Sequence, residues 1–278
     1  MLDYTADAAL ADIKLIACDM DYTLLDDRKT MPPNMPERIA ALDAAGIPFC
    51  AASGRPAYTL RAMFPACRDR MGLISDNGAA VIYRGETVFK SLIDPADYHE
   101  LLDVTLGRTQ GVPVVCGLTC AYVLKRDRVW EEALSEYYHT IEYLDSFDSL
   151  DAEANKYTIY FPKQDSRSAY LDLFGPEFGG RFSVTNAGDD WIDVMNGGVD
   201  KGTGITRLCE YLGLSVADAA AFGDTDNDVQ MLETAGHSFL MENGPERMRG
   251  HAKYLAPSCN DRGVAVVIDA ILAAKGAR

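Results

Sequence analysis

The 278 residues predict an α/β fold built on a parallel sheet and interrupted by a separate α+β unit. Three observations carry this. Short apolar runs end abruptly in acidic or hydroxyl residues, as buried parallel strands do where they meet a loop. Near both ends of the chain such runs alternate with segments of helical apolar spacing, the βαβ pattern. Between Val81 and Asp193 the alternation gives way to β-rich runs divided by turn residues.

In order along the chain, Ile13-Lys14-Leu15-Ile16-Ala17-Cys18 reads as a strand, which makes Asp19 a strand-end residue. In 36–45 the residues Ile39, Ala40, Leu42 and Ala45 fall at helical spacing, Gly46 supplies the C-cap, and 47–52 is the next strand. A helix over 57–64 and a strand over 71–75, running into the turn dipeptide Asn77-Gly78, continue the sheet. The expected insert holds β-rich runs beginning at Val81, Pro113, Ala121, Tyr157, Arg181 and Trp191, with helices over 95–109 and 166–174. After Asn196-Gly197-Gly198 the first texture resumes, with helices over 201–212, 227–234 and 263–273 and a strand over 219–223. The boundaries expected on this reading are 1–81 and 196–278 for the main domain and 82–195 for the insert. Tyr83 and Arg84, at its start, are candidates for substrate contact.

Composition narrows the functions. Forty-eight per cent hydrophobic and 24% charged residues fit a globular protein able to bury a sizeable core. Twenty-six Lys and Arg against 42 Asp and Glu give a formal charge of −16, which repels nucleic acid and anionic headgroups. No nucleic-acid or membrane partner is expected, and the sequence is silent on oligomeric state. The opening residues carry Asp3 and Asp7 and no apolar run, and no later stretch reaches the ~18–20 apolar residues of a membrane span, so a cytoplasmic location is expected. Seven scattered cysteines without a C-x-x-C pair read as reduced thiols rather than a disulfide framework or zinc site. The four histidines show no ligand spacing.

Asp19-Met20-Asp21-Tyr22-Thr23 places two carboxylates and a hydroxyl at alternating positions after a buried run, at the sheet edge where α/β proteins hold ligands. Such a carboxylate can act as a nucleophile, and Asp21 could supply general acid/base catalysis; a solvated turn or a helix cap has the same appearance. Asp224, Asp226 and Asp228 crowd another short loop after an apolar strand, a cost that a cation relieves. Mg²⁺ suits hard oxygen donors that share a site with phosphate. An EF-hand is ruled out, because Val229 stands where the loop needs glycine and Ala235 where it needs glutamate. Ser53-Gly54-Arg55 follows a strand and could hold an oxyanion, and Lys201 at a helix start could offset phosphoryl charge.

The order D-x-D-x-T, S-G-R, Lys, G-D-x-x-N-D resembles the haloacid dehalogenase-like hydrolases, and the sequence looks like their Cof-type, sugar-phosphatase-like subfamily. Asp76-Asn77-Gly78-Ala79 and Gly198-Val199-Asp200-Lys201-Gly202 add to the likeness, which covers nearly the whole chain. The resemblance implies a doubly wound parallel sheet, a Rossmann-like core, with an inserted α+β cap domain. It implies a Mg²⁺-dependent phosphatase that hydrolyses small phosphorylated metabolites, sugar phosphates or similar, through an aspartyl-phosphate. Carried over by position, Asp19 is the nucleophile and a metal ligand, Asp21 the acid/base that lends the metal its backbone carbonyl, and Asp224 a further metal carboxylate. Asp228 acts through the metal's water shell, and Met20, Ser53, Gly54, Lys201 and Asn227 hold the phosphate. Tyr22 stands where the family often has glycine, and Ser53 where threonine is common. A phosphomutase of the same superfamily shares these motifs; a phospho-acceptor module or a non-catalytic relative fits them less well.

Overall fold

The computed structural model describes residues 1–276. Its strands, in chain order, are β1 (Leu15–Asp19), β2 (Phe49–Ala52), β3 (Gly72–Ser75), β4 (Ala80–Tyr83), β5 (Glu86–Lys90), β6 (Val112–Gly117), β7 (Ala121–Leu124), β8 (Ile141–Leu144), β9 (Ala154–Tyr160), β10 (Phe182–Ala187), β11 (Trp191–Asn196), β12 (Ala219–Gly223), β13 (His237–Met241) and β14 (Tyr254–Ala256). The chain divides into two compact units. The first comprises Met1–Gly54, Leu60–Phe89 and the chain from Asp200 onward; the second comprises Arg55–Thr59 and Lys90–Val199.

In the first unit one sheet runs β14-β13-β12-β1-β2-β3-β4-β5, parallel from β14 to β3. Every residue of β1, β2, β3 and β12 is buried because helices cover both faces. Ile16 and Cys18 of β1 pack under Ile39 and Leu42 of the Met35–Ala44 helix and Val264 and Ile268 of the Gly263–Gly276 helix. Leu15 and Ala17, on the other face, meet Ile205 and Leu208 of the Lys201–Leu212 helix and Leu232 of the Val229–Thr234 helix. From β1 the chain winds outward through β2 and β3 in one direction and through β13 and β14 from β12 in the other. The β1/β12 junction is therefore the topological switch point, where open α/β sheets leave a crevice at the carboxyl ends of their strands.

Two features differ from the sequence reading. Val81 does not open the insert: it lies within β4, paired antiparallel with Ile74 of β3. Asp76, Asn77 and Gly78 all take positive φ and turn the chain back onto the sheet, so a hairpin of the main sheet imitates the texture of the insert. Tyr83 and Arg84 belong to this hairpin. Tyr83 packs edge-on against Tyr211 and Arg84 pairs with Asp43, which accounts for both without a ligand. Second, β5, β8, β13 and β14 are absent from the sequence reading. β5 and β8 carry polar residues, β13 opens on histidine and serine, and β14 is only three residues long, so no apolar run of ordinary strand length marks them.

The second unit is a sheet of order β10-β11-β9-β6-β7-β8, antiparallel except for β7 with β8. Tyr98, Leu101 and Leu102 of the Pro95–Arg108 helix, with Phe174 and Phe178, cover one face; Leu134 and Tyr138 pack with Val114 and Val123 on the other. Arg55 and Thr59 are anchored here, donating to the carbonyls of Glu136 and Tyr137. Among the described residues no helix is long and apolar enough to cross a membrane.

Candidate active site

The site is assembled at the switch point. Asp19 is the last residue of β1 and Asp224 the first after β12; parallel pairing of the two strands, Cys18 opposite Phe222, sets their carboxylates side by side. Lys201 is the first residue of its helix, whose start is fixed by a capping box: Asp200 Oδ1 accepts from Thr203 N at 2.7 Å while Thr203 Oγ1 accepts from Asp200 N at 3.0 Å. Close approach of that helix requires small residues. A Cβ on Gly204 would lie 2.5 Å from Ile74 Cγ2, and one on Gly78, which already has φ +101°, would lie 2.1 Å from the Asp200 carbonyl oxygen. Lys201 is fully buried, its Nζ donating to Asp19 Oδ1 at 2.5 Å and to Asp228 Oδ1 at 2.6 Å.

Asp228 also closes its own loop, since Oδ2 accepts from the backbone N–H groups of Asp224 (2.9 Å) and Thr225 (3.2 Å). Gly223 makes room for it; a Cβ there would stand 2.5 Å from Asp228 Cβ. Thr23 Oγ1 donates to Asp224 Oδ1 at 3.1 Å, tying the loop after β1 to the loop after β12. Asp19, Asp224 and Asp228 each offer an oxygen within 4.8 Å of the others, all buried. Burial and the neighbouring Asp228 carboxylate push the Asp19 carboxyl well above the usual range, against the pull of Lys201. The same two causes raise Asp224 to about 6. Burial alone would lower Lys201, but Asp19 and Asp228 overcome it and hold the ammonium charged.

This donor set fits a divalent cation. Three carboxylates against one ammonium leave two negative charges in a buried pocket, the charge that one such ion neutralises. The donors are hard oxygens, the type that suits Mg²⁺.

The remaining candidates lie around this cluster. Met20 is buried, and Asp21 follows it half-buried on a turn closed by Leu25 N donating to Met20 O at 2.8 Å. Tyr22 takes φ 59°, ψ 10°, a left-handed conformation costing an L-residue roughly 1–2 kcal/mol. Ser53 lies one residue past the Asp19–Ala52 register pair; its N–H donates to Ile74 O and its carbonyl accepts from Asn77 N. Gly54 faces Asn77, whose Nδ2 lies 3.2 Å from where a Cβ would be. Asn227 is exposed between Asp226 and Asp228, and among the described residues no hydrogen bond ties it to the carboxylates.

The sequence shows Asp224, Asp226 and Asp228 crowding one short loop, a repulsion that a cation would relieve. The structure separates them: Asp226 points outward into a bidentate pair with Arg247 at 2.9 and 2.8 Å. Asp228, expected to act through the metal's water shell, accepts from Lys201 Nζ and lies beside Asp19 and Asp224. Asn243 escaped the sequence reading. Its Nδ2 donates to Tyr22 O at 2.8 Å and its Oδ1 accepts from Cys259 N at 2.9 Å, bracing the turn after β1 from a distant loop. No motif marks it.

Similarity to known proteins agrees with this geometry. Residues 16–268 match the family of haloacid dehalogenase-like hydrolases, and the chain belongs to that family. It is a hydrolase of the phosphatase type. It is 34% identical over 265 residues, covering 94% of this chain and 96% of the relative, to a 5-amino-6-(5-phospho-D-ribitylamino)uracil phosphatase of Escherichia coli. A protein of the same description from Bacillus subtilis is 25% identical, with 94% and 98% covered. A crystal structure of a Streptococcus mutans protein superposes with TM-score 0.83 at 28% identity, covering 94% of this chain and 99% of that one.

Proposed function

We propose that this chain is a Mg²⁺-dependent phosphatase that hydrolyses small phosphate monoesters through an aspartyl-phosphate on Asp19. One observation carries the reading: a buried strand-end carboxylate, Asp19, shares an ammonium with Asp228 and stands with Asp224 and Asp228 in a cluster that needs a dication. Asp19, Asp224 and the backbone carbonyl of Asp21 would hold the ion, with Asp228 beside them. When bound, the ion neutralises phosphoryl oxygens and lets a dianion approach a carboxylate.

The remaining work falls to the chain's own groups. Lys201, anchored between two carboxylates, offsets charge on the transferring phosphoryl group, while Ser53, Asn227 and the backbone N–H groups of Met20 and Gly54 orient it. An Asp19 oxygen forms the bond to phosphorus as the ester P–O bond breaks, and Asp21 gives its proton to the departing alcohol. Asp21, now a carboxylate, takes a proton from water, whose oxygen attacks phosphorus and returns Asp19 with release of inorganic phosphate. The names of the Escherichia coli and Bacillus subtilis relatives, phosphatases of a phosphoribityl compound, support a phosphorylated sugar or polyol as substrate. The seven unbridged cysteines support a reducing, cytoplasmic setting.

The test is phosphate release across a panel of metabolite phosphates with Mg²⁺, with EDTA, and with Asp19→Asn. Turnover should require Mg²⁺ and fall to background in the variant. An Asp19→Asn protein that still turns over would overturn the nucleophile assignment.

A further inference from the structure

Tyr22 is the feature of the catalytic turn that the proposed chemistry does not use. Its flanking residues Met20, Thr23 and Leu24 are buried, while Tyr22 is 53% exposed. The other non-glycine residues with positive φ are polar, asparagine and aspartate among them; Tyr22 is the aromatic one among the described residues. A bulky side chain rarely occupies this region, and such strain tends to persist where it serves a site. The ring makes no aromatic or cation–π contact among the described residues, and more than half of the side chain faces solvent, so the fold draws little packing from it. The turn beneath it is held by the Leu25–Met20 backbone hydrogen bond and by Asn243 Nδ2 on the Tyr22 carbonyl.

Its position gives the ring a use. Tyr22 adjoins Asp21, with Cα atoms about 3.8 Å apart, and Asp21 is the group that meets the leaving oxygen. On the phosphatase reading, the alcohol that Asp21 protonates departs on the side of the turn where Tyr22 stands exposed. We propose that Tyr22 is a specificity-determining residue whose ring lies against the alcohol portion of the substrate and favours leaving groups that present a flat or apolar face. The inference rests on the phosphatase reading and deepens it.

Benzyl phosphate and propyl phosphate test it, because both release a primary alcohol and differ in the ring. kcat/KM for each is measured for wild type, Tyr22→Gly and Tyr22→Phe, with melting temperatures in parallel. Glycine accepts positive φ without strain, so Tyr22→Gly should melt no lower than wild type. The benzyl-to-propyl ratio should fall roughly tenfold in Tyr22→Gly, mainly through KM, and stay near the wild-type value in Tyr22→Phe. A ratio within twofold of wild type in Tyr22→Gly, including one in which both esters slow together, would overturn the proposal and leave the phosphatase reading standing. A wild type that turns over neither ester, while releasing phosphate from the metabolite panel, would overturn the proposal alone; one inactive on the panel as well would overturn both.

Discussion

Replacing Lys201 with methionine keeps much of the side-chain volume and removes the ammonium that stands 2.5 Å from Asp19 and 2.6 Å from Asp228. What remains is three buried carboxylates with oxygens within 4.8 Å of one another. At an effective dielectric near 20, two unit charges at that spacing repel by about 3 kcal/mol. Burial and the neighbouring carboxylate already raise Asp19 and Asp224 above the usual carboxylate range, so proton uptake on loss of the ammonium offsets part of this repulsion. Breaking a buried pair by removing one partner costs about 3–5 kcal/mol, or roughly 6–20 °C in melting temperature for a unit of this size. Thermal melts followed by circular dichroism, in EDTA and in Mg²⁺, read the effect. In EDTA the variant should melt at least 6 °C below wild type, and Mg²⁺ should raise its melting temperature more than that of wild type, because the ion then replaces the missing charge. A variant that melts within 2 °C of wild type in EDTA would refute the reasoning, since the ammonium would not be balancing those carboxylates.

Other perturbations reach separate parts of the account. Asp21→Asn should slow hydrolysis of alkyl phosphates by about 10²–10⁴-fold and that of 4-nitrophenyl phosphate much less, because only a poor leaving group needs the proton; equal losses would count against the acid role. Gly223→Ala should destabilise the protein by about 1–3 kcal/mol, read by urea titration, because the new Cβ would collide with Asp228 at 2.5 Å. Asp200→Ala should cost about 1 kcal/mol through loss of the capping box that fixes the Lys201 helix. His237 is buried, and burial followed by Lys253 lowers its pKa below 6.5. Above pH 6.5 it is neutral in both folded and unfolded chains; below that value the unfolded chain takes up a proton that the folded one resists, so stability falls as pH drops. His237→Gln should flatten that part of the melting-temperature profile between about pH 6.5 and 5 relative to wild type.

Much of the site was legible because its residues sit at strand and helix ends that local chemistry marks. The apolar run before Asp19 and the alanine-rich run before Asp224 announce buried strands, and Lys201 follows Gly197-Gly198 at the start of a segment of helical apolar spacing. The hairpin of β4 and β5 was not legible as part of the main sheet, because nothing local distinguishes an antiparallel strand that joins a parallel sheet from one that opens a new unit. Asn243 was hidden for a similar reason: a braced carbonyl 221 residues away in the chain leaves no periodicity or spacing.

The sequence alone determined which carboxylates end strands, that a lysine begins a helix, and that a foreign β-rich stretch divides the chain, since these depend on side-chain patterning over a few residues. The tertiary structure decided which of the acids share a charge. Strand order places Asp19 and Asp224 at one switch point, Gly223 and the loop hydrogen bonds turn Asp228 inward, and Arg247 draws Asp226 outward. Electrostatic partnership depends on distances through space between groups far apart in the chain, such as Asp19 and Lys201 at a separation of 182 residues, and only packing sets those distances.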